Sequence, residues 1–117
     1  MNTTKLITQI TDHYSAEPEY LWKSSPDFAV FRHQNNRKWF AIFMPIEANK
    51  IGLNADTKIP VLNMKAKPEA IGSLRMIKGI YPAYHMNKEH WVSLNLAEID
   101  EALLFELIDE SFDLTEK

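Results

Sequence analysis

Cysteine is absent from the 117-residue chain, which removes disulfides, thiolate metal sites and cysteine nucleophiles together. The absence also suits a reducing compartment. Glycine is nearly as scarce, with Gly52, Gly72 and Gly79 alone, too few and too scattered for a phosphate-cradling loop. No apolar run approaches about 18 residues, so no membrane span is expected. The N-terminus lacks the charged-then-apolar layout of a leader. No serine stands in a nucleophile-elbow setting, and neither repeats nor low-complexity segments occur. These absences predict one domain over residues 1–117, non-catalytic, cytoplasmic, and without cofactor or metal.

What is present is ordinary in amount and uneven in arrangement. The 45% hydrophobic and 25% charged residues lie in the globular range. A chain of this length can bury roughly two-thirds of its unfolded surface. The net charge of −3 hides a polarity along the chain. Residues 1–57 balance six Lys/Arg against six Asp/Glu. Residues 58–91 set six cations against Glu69 and Glu89, a balance of +4, whereas residues 92–117 set Lys117 against eight carboxylates, a balance of −7. Such asymmetry fits a basic binding face beside an acidic flank.

The apolar spacing predicts an α+β fold. Thr3 or Thr4 can cap a first helix carrying Leu6, Ile7, Ile10 and Tyr14 on one stripe, ending before Pro18. Residues 15–27 read as an irregular connection pinned by Tyr20, Leu21 and Trp22. Strands follow over Phe28–His33 and Lys38–Met44, joined by an asparagine-bearing turn. Residues 45–58 read as a loop and Val61–Lys65 as a strand. Pro68 opens a second helix that Gly79 closes, with Ile71, Leu74 and Met76/Ile77 inside. A strand over Ala83–Met86, a turn at Asn87–Glu89 and a strand over Trp91–Leu96 come next. Asp100 caps the last helix, whose buried side is Leu103, Leu104, Leu107, Ile108 and Phe112.

Two strands carry more than their fold signal. Simple alternation in the second puts Trp39, Ala41 and Phe43 on one face and Phe40, Ile42 and Met44 on the other. Both sets are apolar, whereas a half-exposed strand should alternate with polar residues. The second face therefore needs a cover: another part of the chain, a second copy or a ligand. Alternation in the strand at Trp91 sets it opposite Val92, Leu94 and Leu96. Trp91 is expected to be partly buried, under residues 15–27 with their Trp22 or in a dimer.

Candidate chemical groups are few. His85 and His90, five apart, make a poor helical metal pair and lack a nearby third ligand. Glu106/Glu110 and Asp109/Asp113 lie four apart on the last helix and read as a solvated acidic face. Lys67, just before Pro68, is a cation where a helix start favours an anion; it reads as solvated and offset by Glu69. The richest segment interleaves Lys65, Lys67, Arg75, Lys78 and Lys88 with Tyr84, His85, Asn87, His90 and Trp91. The cations can neutralise phosphates, while the rings and amide can stack or hydrogen-bond.

The densest stretch, Pro82-Ala83-Tyr84-His85-Met86-Asn87-Lys88-Glu89-His90-Trp91, resembles the signature of the MmcQ/YjbR family of small bacterial proteins. Supporting blocks are Pro26-Asp27, Val30-Phe31-Arg32-His33, Lys38-Trp39-Phe40-Ala41, Asn63-Met64-Lys65 and Leu107-Ile108-Asp109 with Ser111-Phe112-Asp113-Leu114. The resemblance implies the order α-β-β-β-α-β-β-α, a two-layer sandwich of one antiparallel sheet with helices on one face. It also implies a double-wing DNA-binding module. DNA is thus the first partner expected, through the basic and aromatic segment. The alternative is a protein partner, a second copy or a small ligand on the apolar second face of the sheet.

Overall fold

A computed structural model describes residues 2–117. The order of elements is as the sequence implies: helix α1 (Thr3–Tyr14), strands β1 (Ala29–Arg32), β2 (Trp39–Glu47) and β3 (Lys58–Lys65), helix α2 (Pro68–Leu74), strands β4 (Ile80–Pro82) and β5 (Trp91–Asn95), and helix α3 (Glu101–Thr115). The sheet runs β1-β2-β3-β5-β4, with every neighbouring pair antiparallel. All three helices lie on one face. Leu6 and Ile10 of α1, Ile71 of α2 and Leu104, Leu107 and Ile108 of α3 meet Phe31, Phe43, Leu62, Met64, Val92 and Leu94 of the sheet in one core.

The structure corrects several boundaries. Asn2, rather than a threonine, caps α1 by accepting from the Lys5 amide at 3.1 Å. Strand β2 continues through Glu47 and β3 begins at Lys58 rather than Val61, because Ile46 pairs with Ile59 and Glu47 with Lys58, and a 3-10 turn at Ala48–Ile51 leads towards β3. Helix α2 stops at Leu74 and passes into tight turns. The helical period is lost there, which leaves Met76 88% and Ile77 39% exposed instead of buried. Gly79 ends those turns at φ +94, and a Cβ there would lie 2.8 Å from the Ile99 amide nitrogen. Only glycine combines that backbone angle with that approach.

Strand β4 occupies Ile80–Pro82, not Ala83–Met86. Its place at the sheet edge tolerates a proline, which has no amide to give the ladder. Beside it Tyr81 donates to Glu98, whose Oε1 also accepts from Asn95 Nδ2 at 2.7 Å.

A bulge decides which way β2 faces. Phe31 pairs with Ala41 but Arg32 with Trp39, so Phe40 is the extra residue. Phe40 and Ala41 consequently both enter the helix-side core, and Trp39 turns to the opposite face with Ile42 and Met44. Simple alternation had Trp39 and Phe40 the other way round. The bulge interrupts the ladder to β3, whose next pair in register would be Phe40 with Lys65. The Ser111 hydroxyl fills the gap: it donates to the Phe40 carbonyl at 2.6 Å and accepts from the Lys65 amide at 2.9 Å.

Ser111→Ala would leave both backbone groups buried and unpaired, at a cost of about 2–4 kcal/mol. Denaturant melts should show that loss; a loss within about 0.5 kcal/mol, the range of an unremarked surface change, would mean the bulge closes without it. Burial first, then the bond to Glu98, pushes the Tyr81 hydroxyl up to about 12 from its ordinary 10.0. Its neutral form therefore contributes stability that is whole below pH 10 and declines as pH rises through 12. Melts of Tyr81→Phe should fall less steeply than wild type across that window.

Candidate functional site

The outer face of the sheet, away from the helices, carries its own apolar cluster of Val30, Ile42, Met44, Ile46, Ile51 and Val61. Two segments of the chain cover it. The first is the connection through Trp22. Glu19 pairs with Val30 through two backbone bonds of 2.9 Å, which closes part of the free edge of β1. The Glu19 carboxylate lies 3.0 Å from Arg32 Nε and 3.4 Å from Arg37. The Arg32 contact is one of charge rather than an aligned hydrogen bond. Beyond this anchor, Trp22 meets Phe28 and Trp39 edge-on, both at 6.0 Å between centroids and at 73° and 87° between planes. The Arg32 guanidinium stands 5.6 Å from the Trp39 ring centre.

The second cover is the segment 83–90, held by a closed ring of hydrogen bonds. The Tyr84 amide donates to Ser93 Oγ at 2.9 Å, the Ser93 hydroxyl donates to Asn63 Oδ1, and Asn63 Nδ2 donates to the Tyr84 carbonyl at 2.8 Å. Each group is used in the only sense that closes the ring, so the orientation of the Asn63 amide is fixed. Asn63 and Ser93 face each other across β3 and β5, and both are 0% exposed. Strand propensity gives no reason for an asparagine and a serine at two central positions; their purpose is to hold Tyr84. The next residue, His85, takes φ +60 with its ring 4.0 Å from that of Tyr84. A left-handed histidine is strained, and such strain gathers at functional segments.

Between the two covers lies a cleft of about 390 Å³. Trp22, Phe28 and Trp39 form one wall, Ile42, Met44 and Asn63 the floor, and Tyr84, His85 and Met86 the other wall. The volume falls in the range of small-molecule sites, as does the mix of aromatic walls with few polar groups.

The residues singled out from sequence do not form one surface. Tyr84 and His85 line the cleft. Lys65 faces Trp91 across β3 and β5, and the Ala66 amide donates to the His90 carbonyl, so Lys65, Lys88, His90 and Trp91 gather near one turn. Asn87 shapes that turn by accepting from the Glu89 amide at 2.8 Å. Lys67 instead shares a shallow groove with Glu106, Asp109, Glu110 and Asp113 of α3. Arg75 and Lys78 border a different groove with Tyr81 and Glu98. Of the acidic pairs, Asp109 accepts from the Tyr14 hydroxyl. Burial, followed by that bond, raises Tyr14 well above the ordinary tyrosine range.

Trp91 is half-buried against the outer cluster, as its strand position implies, but Trp22 packs on Phe28 and Trp39. Among the described residues no three His, Asp or Glu side chains converge as metal ligands, and no helix is long and apolar enough to cross a membrane. The cleft residues Phe28, Trp39, Met44, Asn63 and Met86 escaped the reading of candidate sites. Their one signal was the apolar character of both faces of β2.

Residues 11–114 match the YjbR family model. The chain belongs to the YjbR family. It is 38% identical over 111 residues to the uncharacterised protein YyaQ of Bacillus subtilis (strain 168), covering 94% of each chain. It is 34% identical over 99 residues to the uncharacterised protein YbdF of Escherichia coli O157:H7, covering 82% of this chain and 70% of YbdF. Among solved structures, the crystal structure of a Pseudomonas syringae protein superposes with a TM-score of 0.95 at 46% identity, covering 98% of this chain and 99% of the other. A Deinococcus radiodurans protein, DR2400, shares the fold at a TM-score of 0.75 and 24% identity, covering 100% of this chain and 80% of DR2400. The stretch 82–91 is chiefly a loop: it makes the second cover of the cleft and the turn beside Lys65.

The strain at His85 has a measurable consequence. Glycine relieves a left-handed backbone and alanine does not, so His85→Gly should be about 1 kcal/mol more stable than His85→Ala. Equal melts for the two variants would show that this angle relaxes without cost.

Proposed function

We propose that this YjbR-family chain is a non-catalytic binding module and that its site is the outer-face cleft, which takes a small ligand. The observation that carries the reading is a 390 Å³ cleft with two indoles in one wall, whose rim is fixed by hydrogen bonds before any ligand arrives. A rim already ordered lowers the entropy cost of binding. Nucleic acid is less well supported by the same geometry, because the five cations divide among three places and Lys67 sits beside carboxylates.

A thermal-shift screen of small neutral, cationic and anionic compounds tests the reading. A ligand at a hundredfold excess over its Kd stabilises by about 2.7 kcal/mol, a clear rise in melting temperature. Hits should lose their effect in Trp39→Leu, which keeps an apolar side chain but removes one ring of the aromatic wall. A screen without hits, or hits indifferent to that change, would refute the cleft as a site.

A second reading, DNA binding, is favoured by one grouping: Lys65 and Lys88 with His90 and Trp91 around a single turn. Two phosphate contacts give a log–log salt slope of about −2. Replacing Lys65 and Lys88 by Glu should abolish that slope while leaving the circular dichroism spectrum unchanged. Duplex binding that ignores salt or both reversals would exclude this surface.

A further inference from the structure

The cleft continues beyond Ser25, and the continuation defines the ligand, an inference that rests on the cleft being the binding site. Ser25, Phe28 and Tyr84 also line a second depression of about 190 Å³, so the two are parts of one groove. Its floor follows β2: Ile42 and Met44 lie under the cleft, Pro45 and Ile46 under the second basin. Four steps of strand, from Ile42 to Ile46, span roughly 13 Å. A groove of that length suits an elongated molecule better than a compact one.

The two ends differ in chemistry. The cleft is mainly apolar: Trp22, Phe28, Trp39 and Met86 stand in its walls, and Ser25 and His85 are the polar side chains there. Asn63 below them is 0% exposed, with its amide turned to the Tyr84 carbonyl. The basin instead carries Lys50, Lys58, Asp27 and Glu47. Among the described residues no ion pair reaches any of these four. A head with one charge would meet as many like charges as opposite ones. A head with both charges can set each against its opposite.

A peptide of that length carries amide groups along its whole course. Over the cleft they would lie on a sheet face, where the backbone groups of β2 are spent in its ladders to β1 and β3. Peptide groups buried there would lack partners, which is costly. A hydrocarbon chain has none to satisfy. We infer that the groove binds a linear zwitterionic amphiphile, its hydrocarbon end among the indoles and its head between Lys50, Lys58, Asp27 and Glu47.

Two-dimensional amide NMR reads both ends at once. The Trp22 and Trp39 indoles report the cleft, the Glu47 and Lys58 backbone amides the basin, and Trp91, outside both, is the control. Octyl sulfobetaine, kept below its micelle concentration, should move both indoles and both amides and leave Trp91 in place. It should bind about fivefold more tightly than octyltrimethylammonium or octyl sulfate, the worth of two exposed ion pairs. The same head with methyl in place of octyl should leave the indoles unmoved. Asp27→Asn with Glu47→Gln leaves the basin two lysines and should make octyl sulfate the tightest of the series, with the amide spectrum elsewhere preserved. If a singly charged probe matches the sulfobetaine on wild type, if the basin amides stay still, or if the double variant keeps the wild-type order, the inference is overturned and the cleft stands. If acetyl-Phe-Gly-Gly-Lys, with both charges at one end, binds as tightly, the ligand is a peptide and the amphiphile is wrong. If no octyl probe moves either indole, the cleft falls with the inference.

Discussion

A single hydroxyl, that of Ser111, allows the two faces of this sheet to differ. The bulge at Phe40 puts two consecutive residues of β2 on the helix side, and it could not persist with a carbonyl and an amide left bare in the core. Ser111 reaches from α3 and satisfies both. The rest of the helix side then closes around Phe40, whose ring lies 5.0 Å from Phe112, 5.3 Å from Tyr14 and 5.3 Å from His33. His33 in turn bonds Thr115 at 2.8 Å, one turn along α3 from Ser111. The last helix is thus tied to the bulge at two levels, and the same bulge releases Trp39 to the other face. Core packing and cleft share one cause.

On the outer face the problem is reversed. An apolar sheet surface without a helix must be covered by irregular chain, whose backbone groups need partners of their own. The fold answers with polar side chains planted in the sheet. Asn63 and Ser93 occupy central positions where apolar residues would pack better, and they hold the Tyr84 backbone at a fixed height above Ile42 and Met44. A loop tied at one point and strained at the next, His85, stays off the sheet instead of collapsing onto it. The cleft is the space this leaves.

Most of the fold could be read from residue pattern. Pro68, Asp100 and the turn before Lys38 mark the starts of α2, α3 and β2 well, because each acts through local backbone chemistry. The apolar surplus of β2 announced a covered second face. What escaped has a common physical origin: a pattern of period two or 3.6 assumes that the period continues. It breaks at Phe40, where one extra residue reverses Trp39, and after Leu74, where tight turns carry Met76 and Ile77 out into water. The stretch 83–86 looked like a strand because it is aromatic and short, yet its hydrogen bonds go to side chains rather than to a ladder. The cleft combines residues from four places in the chain, and no local spacing encodes that meeting.

The uneven charge along the sequence also acquires a meaning in three dimensions. The excess of −7 over residues 92–117 falls mostly on α3, which lies across the sheet from the cleft. None of the α3 carboxylates is in the lining of the cleft. The cations, spread by the passage through α2 from Lys65 at one end to Arg75 and Lys78 at the other, are also kept out of the lining. Electrostatics consequently bears little on what enters the cleft. Selection there falls to shape and to ring stacking, and affinity at this site should be nearly independent of salt, unlike any binding through Lys65 and Lys88.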